Sequence, residues 1–220
     1  MMNKTNYLKF INYEYIQADD IYKVNSDTSI LGMSLDNLKN KDILDIGCNT
    51  GALLLYGHYK GAKYLYGVDI NNKALEYADI NLKKYTNNYQ LFNQDVRELE
   101  MNKVDVIVCN PPFFEMNNVT PNKELRMAMF EESLPLKDLF DTYRRLLKDN
   151  GEIYMIYPAD RFPELYQNIL DHKMKIMKMR FIHDKNSDYA LRIILKLKIG
   201  KMTKIRVLSP IIIENGEYNI

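Results

Sequence analysis

The sequence predicts an α/β fold, a doubly wound and mostly parallel sheet with helices on both faces. Three observations carry that expectation. Apolar runs at residues 42–46, 64–69, 89–92 and 104–109 alternate with helix-like stretches, the order that gives parallel strands and right-handed crossovers. Val104, Val106, Ile107 and Val108 are β-branched and apolar, as a strand covered on both faces requires. Finally, Asp45, Asp69, Asp95 and Asn110 each stand at or just past the end of one run, so their side chains would converge on one crevice.

Taken in order, residues 1–24 hold Tyr7, Phe10, Tyr13, Tyr15 and Tyr22 and read as short extended pieces with a turn at Ala18-Asp19-Asp20. These aromatics suit a cover over a sheet edge better than a stacking platform. Ser26 or Asp27 would cap a helix running to about residue 38. The strand at 42–46 feeds DIGCNTG (45–51), whose glycines bracket a turn into a helix ending near 60. Residues 72–84 place Ala74, Leu75, Ala78 and Leu82 on one helical face. Past the strand at 104–109, the polar stretch 115–123 reads as a mobile loop over a site. A helix over 136–147, stopped by Asn150-Gly151, leads to a strand at 152–157 and a helix at 163–170. Two late strands, 176–182 and 191–198, are joined by a polar turn at 184–188, so one of them must run antiparallel. A last extended piece covers 210–213, before a turn at Asn215-Gly216. No linker interrupts the chain, so one domain over 1–220 is expected: an N-terminal extension and first helix (1–40), a core (41–200) and a C-terminal extension (201–220).

Composition excludes several classes. No apolar run approaches the ~20 residues that span a bilayer, and MMNKTNYLKF has no hydrophobic signal region. Cys48 and Cys109 are the only cysteines, too few for a disulfide framework or a thiolate metal site. His58, His172 and His183 match no metal-ligand spacing. The expectation is a cytoplasmic protein with no metal and no membrane contact, and a monomer rather than an oligomer. Net charge is +1, but eleven Lys/Arg against two Asp lie between Lys173 and Arg206, so that segment carries +9. Such an excess, with Lys173, Lys175, Lys178 and Arg180 at its head, suits nucleic-acid phosphates; it also suits the solvated face of a strand pair.

The stretch Asn110-Pro111-Pro112-Phe113 carries the most specific chemistry. Pro111 ends the ladder, and consecutive prolines leave the corner few backbone states. An amino group conjugated to a ring is a poor nucleophile because its lone pair is delocalised. Two acceptors aimed at its hydrogens turn it towards sp³ geometry and expose that pair. The Asn110 amide oxygen and the Pro111 carbonyl are candidate acceptors, and Phe113 offers a face for a planar base.

The first strand–turn–helix could hold either of two common ligands. A nicotinamide dinucleotide needs GxGxxG, and here the middle glycine is Asn49. The pattern D-x-G-x-x-x-G suits S-adenosylmethionine better, since that molecule presents an ammonium and a carboxylate rather than a phosphate. Gly47 and Gly51 allow close approach, Asp45 supplies the acid, and Asn tolerates positive φ at position 49. Asp69 would accept from the ribose hydroxyls, Asp95 from an adenine amino group, and Val96 would donate its N–H.

DIGCNTG, Asp69, Asp95 and NPPF together resemble the class I methyltransferases that act on amino groups of planar or amide substrates. IQADDIYKVNSDTSILGMSL, YPADRFPELYQNI, RFIHDKNSDYALRIILKLKIG and PIIIENGEY extend the resemblance to bacterial tRNA (adenine-N6) methyltransferases that modify the purine beside the anticodon of a valine tRNA. That likeness implies a seven-stranded Rossmann-like sheet with one antiparallel strand, S-adenosylmethionine as cofactor and tRNA as partner. It implies that residues 110–113 form the acceptor site, that Lys23 and Asp27 border the cofactor's methionine end, and that Arg126 reaches nucleic acid. Relatives often carry Tyr at position 113, so Phe113 stacks without a hydroxyl. NPPF also occurs in guanine-N2 methyltransferases of ribosomal RNA and in glutamine methyltransferases of release factors. Those acceptors, and a non-catalytic RNA-binding module, are the alternatives.

Overall fold

The computed structural model describes residues 5–112 and 134–220. Strands β1 (Thr5–Tyr7) and β2 (Glu14–Ile16) form a separate antiparallel pair. Helix α1 (Ser26–Ser34) follows. Then come β3 (Asp42–Ile46), α2 (Ala52–Tyr59), β4 (Tyr64–Asp69), α3 (Asn72–Lys83) and β5 (Tyr89–Asn93), the predicted alternation. A short 3-10 turn at Val96–Glu98 leads into β6 (Val104–Cys109). Beyond residue 133 lie α4 (Leu136–Leu146), β7 (Leu147–Pro158), α5 (Phe162–Asp171), β8 (Met174–Asp184) and β9 (Ala190–Ile199). Two short strands, β10 (Arg206–Val207) and β11 (Ile211–Ile213), close the described chain.

The main sheet runs β10-β8-β9-β7-β6-β3-β4-β5, with β11 also paired to β8. Strand β9 is antiparallel to both its neighbours, and the other described pairs in this sheet are parallel. The seven strands from β3 to β9 match the expected sheet. The C-terminal extension adds two more at the β8 edge, because Ile211 buries there while covering an otherwise open ladder. Apolar side chains pack on both faces. Ile30 and Leu31 of α1 join Leu53 to Tyr56 of α2 and Leu75 and Leu82 of α3 on one side. Leu139, Phe140 and Tyr143 of α4 join Leu165 and Ile169 of α5 on the other. From β3 the chain builds outward to β5, then returns to place β6 on the other flank of β3. The crevice above β3 and β6 is therefore the switch point where open α/β sheets hold ligands.

Two local expectations are corrected. Neither Ser26 nor Asp27 caps α1: Asn25 does, its side chain accepting from the Thr28 N–H at 3.1 Å. Asn-Gly at 150–151 does not end the helix before β7. The chain turns extended at Leu147, whose fully buried side chain pairs opposite Val104. From there β7 advances five residues to Glu152 while β6 advances two to Val106, so the Asn-Gly turn survives as a bulge inside the strand. The loop expected at 115–123 lies outside the described residues.

Candidate functional site

The site is built by three strand ends held level. Ile46 pairs opposite both Val68 and Cys109, so the turn after β3, the end of β4 and the Asn110 corner share one edge of the sheet. The turn 47–51 is tied to β4 by the N–H groups of Gly47 and Cys48, which donate to the Val68 carbonyl at 2.9 and 3.1 Å. Gly47, Asn49 and Gly51 all have positive φ (72°, 47° and 81°). At Gly51 a side chain would also press on Ala78, whose Cβ would stand 3.3 Å away, so glycine permits the α2–α3 contact as well as the turn. Asn49 is one of the few residue types besides glycine that enter this region readily.

Asp69 is fixed by backbone donors. Asn49 N–H reaches one carboxylate oxygen at 2.8 Å and Asn71 N–H the other at 2.9 Å. Burial raises its pKa, and those N–H groups pull against the rise. Asp45 is 1% exposed, and its pKa lies well above the usual carboxylate range, through burial first and the Asp69 charge second. Its Oδ1 has no hydrogen-bond partner among the described residues. The same holds for Oδ1 of Asn49, Oγ1 of Thr50 and Oδ1 of Asn110. A buried acceptor left unmatched costs about 1–3 kcal/mol. Unmatched oxygens on Asp45, Asn49 and Asn110, at the ends of adjacent strands, therefore mark a place prepared for donors and positive charge. S-adenosylmethionine, with an ammonium, a sulfonium and ribose hydroxyls, fits that donor-poor, acceptor-rich chemistry.

Asp95 stands just beyond β5, where its carboxylate caps the 3-10 turn by accepting from the Arg97 N–H at 2.9 Å. It also pairs with the Arg97 guanidinium, which holds its pKa below the usual range. Val96, beside it, is buried. Lys23 lies in the segment before α1 and is spent on Asp19 and the Ala18 carbonyl, both at 2.8 Å. Asp27 is buried at the start of α1, where Arg192 Nε donates to it at 3.1 Å. Pro158 pairs opposite Arg192, so this ion pair sits at the end of the sheet that carries Asn110. Pro111 is buried and Pro112 partly so. Phe113 and Arg126 lie outside the described residues.

The basic residues divide. In β8, Lys178 bonds both oxygens of Asp36 at 3.0 Å. Lys173 precedes β8 and Lys175 pairs opposite Lys198, at the end of the sheet away from Asn110. Lys173 and Lys175 therefore stand far from the acceptor corner, because β8 runs from the far end of the sheet towards the crevice. Arg180, in line with Ile194 and Ile156, lies at the crevice end, level with Asn110 three strands away.

One residue, Asn81, and one contact, from Asn49, were not foreseen. Asn81, fully buried on α3, donates to the carbonyls of Thr50 and Ile16 and accepts from the Ile16 N–H, so it joins β2 to the turn above β3. Asn49 also reaches beyond its own turn. Its Nδ2 donates to the Tyr22 carbonyl at 2.7 Å, tying the segment before α1 to the residues above β3. The available signal was one polar residue, Asn81, on an α3 face otherwise made of Ala74, Ala78 and Leu82.

Among the described residues no helix is long and apolar enough to cross a membrane. The family model for the methyltransferase small domain matches residues 21–181. The tRNA1(Val) (adenine(37)-N6)-methyltransferase of Dyadobacter fermentans is 24% identical over 95% of this chain and 89% of its own. A provisionally named protein N5-glutamine methyltransferase of Methanocaldococcus jannaschii is 39% identical, over 43% of this chain and 48% of its own. Among solved structures, the 16S rRNA N2 G1207 methyltransferase of T. thermophilus, in complex with AdoMet and guanosine, superposes with a TM-score of 0.63 at 18% identity, over 90% of this chain and 50% of that one. With more than half its length matched, the chain belongs to the methyltransferase small domain family.

Proposed function

We propose that this protein transfers a methyl group from S-adenosylmethionine to the N6 amino group of an adenine in tRNA, the purine next to the anticodon of a valine tRNA. The observation that carries the reading is the Asn110 amide oxygen, buried, without a partner among the described residues, at the end of β6 beside the acceptor-rich turn. Relatives named for that reaction match nearly the whole chain, whereas the glutamine methyltransferase matches less than half of it. These lengths favour the tRNA substrate over a protein one.

In this reading Asp45, Gly47, Gly51 and Asp69 hold the cofactor, with Asp95 and Val96 at its adenine and Lys23 and Asp27 bordering its methionine end. When bound, the cofactor supplies an electrophilic methyl group on a sulfonium. Asn110 Oδ1 and the Pro111 carbonyl accept the two hydrogens of the target amine, Pro112 stiffens the corner, and Phe113 stacks on the base. The adenine must leave its stack to reach them, as a splayed anticodon-loop base can. Arg126 and Lys173, Lys175, Lys178 and Arg180 are the proposed phosphate contacts. Lys173 and Lys175 would then meet RNA well away from the acceptor. Labelled cofactor offered with unmodified tRNA, total ribosomal RNA or release factor tests the proposal. Transfer to tRNA alone is expected; transfer only to one of the other two would overturn it.

A further inference from the structure

We propose that the cleft between the end of α1 and strands β7 to β9 is a binding site for a phosphate group. The cleft has a volume of about 360 Å³, and its walls carry Lys60, Lys178, Arg180 and Lys196 around Asp36 and Tyr154. Among the lining side chains, four cations face one carboxylate. Glu152, behind the wall, bonds Lys196 at 2.8 Å, so positive charge remains in excess after both acids are counted.

The cations are not equally engaged. Lys178 and Lys196 converge on Asp36 at 3.0 and 2.7 Å, which sets their ammonium groups along one side. Lys60, at the end of α2, donates to the Met33 carbonyl at 3.0 Å, and burial lowers its pKa against the pull of Asp36. Arg180 Nε is buried and has no hydrogen-bond partner among the described residues. A buried guanidinium donor without an acceptor is the counterpart of the orphaned oxygens above β3. It calls for an oxyanion, and lysines arriving from β8, β9 and the end of α2 suit a group with several oxygens pointing apart. A phosphate meets that description better than a planar carboxylate.

Cys109, Met155, Leu195 and Met179 are register partners across four adjacent strands, so Arg180 stands level with Asn110. Three interstrand steps separate them, about 14 Å at ~4.8 Å per step. The phosphate can come from the RNA backbone or from a free anion. The RNA source rests on the function proposed above; the free anion does not.

The test uses the full chain, with Arg180→Gln in β8 and Lys60→Gln at the end of α2. Inorganic phosphate is titrated by calorimetry, and unmodified tRNA is titrated over a range of salt concentrations. Wild type is expected to bind phosphate at one site, and each variant to weaken it about tenfold. An RNA source further predicts weaker tRNA binding, with the slope of log affinity against log salt reduced by about one, at unchanged S-adenosylmethionine affinity. Loss of phosphate binding with unaltered tRNA binding assigns the cleft to a free anion. If Arg180→Gln does not fold, Lys60→Gln decides. Wild-type behaviour of the folded variants in both titrations, or no phosphate binding by wild type together with an unchanged salt slope, overturns the proposal. Should wild type fail to bind or methylate tRNA, the proposed function fails, and the phosphate titration still decides the cleft.

Discussion

The turn above β3 and the ion cluster on the flank of β7 to β9 meet their carboxylates in different ways. On the flank, Glu152 is surrounded by Lys41, Lys196 and Lys198 at 3.1, 2.8 and 3.3 Å, and Asp36 by Lys178 and Lys196. Those lysines outweigh burial and hold both carboxyl groups down to about 2. At the turn, Asp45 faces no cation among the described residues; burial and Asp69 push it up. On the flank Glu152 and Asp36 are met by lysines, whereas at the crevice Asp69 is met by backbone N–H groups and Oδ1 of Asp45, Asn49 and Asn110 by no group among the described residues. Satisfied charges fix one arrangement of strands, while orphaned acceptors are useful only if a ligand completes them.

The contrast can be broken most severely at Asn110. Asn110→Ala removes an acceptor that matters only when the target amine is present, so kcat for tRNA methylation should fall on the order of 10²- to 10³-fold. Cofactor affinity, read by calorimetry, should stay within several-fold. Glu152→Gln attacks the other region. It takes the Glu152 charge from Lys41 and Lys198, leaves Lys196 with Asp36 alone, and should cost about 1–3 kcal/mol, between the limits for surface and buried pairs. Chemical denaturation measures it. The lowered pKa of Glu152 also sets a pH signature. Its contribution is present above the ordinary glutamate range, near 4.3, and is lost as pH falls towards 2. Wild type should therefore lose stability over that window more steeply than Glu152→Gln.

Asp45→Asn sharpens the comparison with the opposite sign. A carboxyl whose pKa is raised on folding stabilises the fold below its unfolded pKa and loses that advantage as pH climbs through the raised value. At neutral pH the cofactor-free Asn variant should melt at a higher temperature than wild type, and it should bind S-adenosylmethionine less tightly. A variant that is both less stable and equally tight would contradict the assignment of Asp45 to the cofactor. The smallest effect is expected of Asn49→Gly. The turn keeps its positive φ, but the hydrogen bond to Tyr22 is lost, worth about 1 kcal/mol. A several-fold rise in the cofactor dissociation constant, with kcat little changed, would mark Asn49 as a tether rather than a chemical group.

The alternation of runs made the parallel sheet legible, and the residues at the run ends made the crevice legible, because both are written locally. The flank was not legible for the opposite reason. The cations at 178, 192 and 196 stand in a block that looks unopposed, yet their partners are Asp36, Asp27 and Glu152, at least 44 positions away in sequence. Charge counted along a segment says nothing about acids that folding brings to its face. Leu147 taught a similar lesson: burial of one leucine opposite Val104 overrode a good helix-stop signal four residues later.

In the proposed reaction the Asn110 corner activates an adenine amine. Mass spectrometry of nucleosides from unmodified tRNA, after incubation with S-adenosylmethionine and either wild type or Asn110→Ala, addresses it most directly. N6-methyladenosine is expected from wild type, and essentially none from a variant that still binds the cofactor. Equal amounts of the modified nucleoside at equal early times would contradict it.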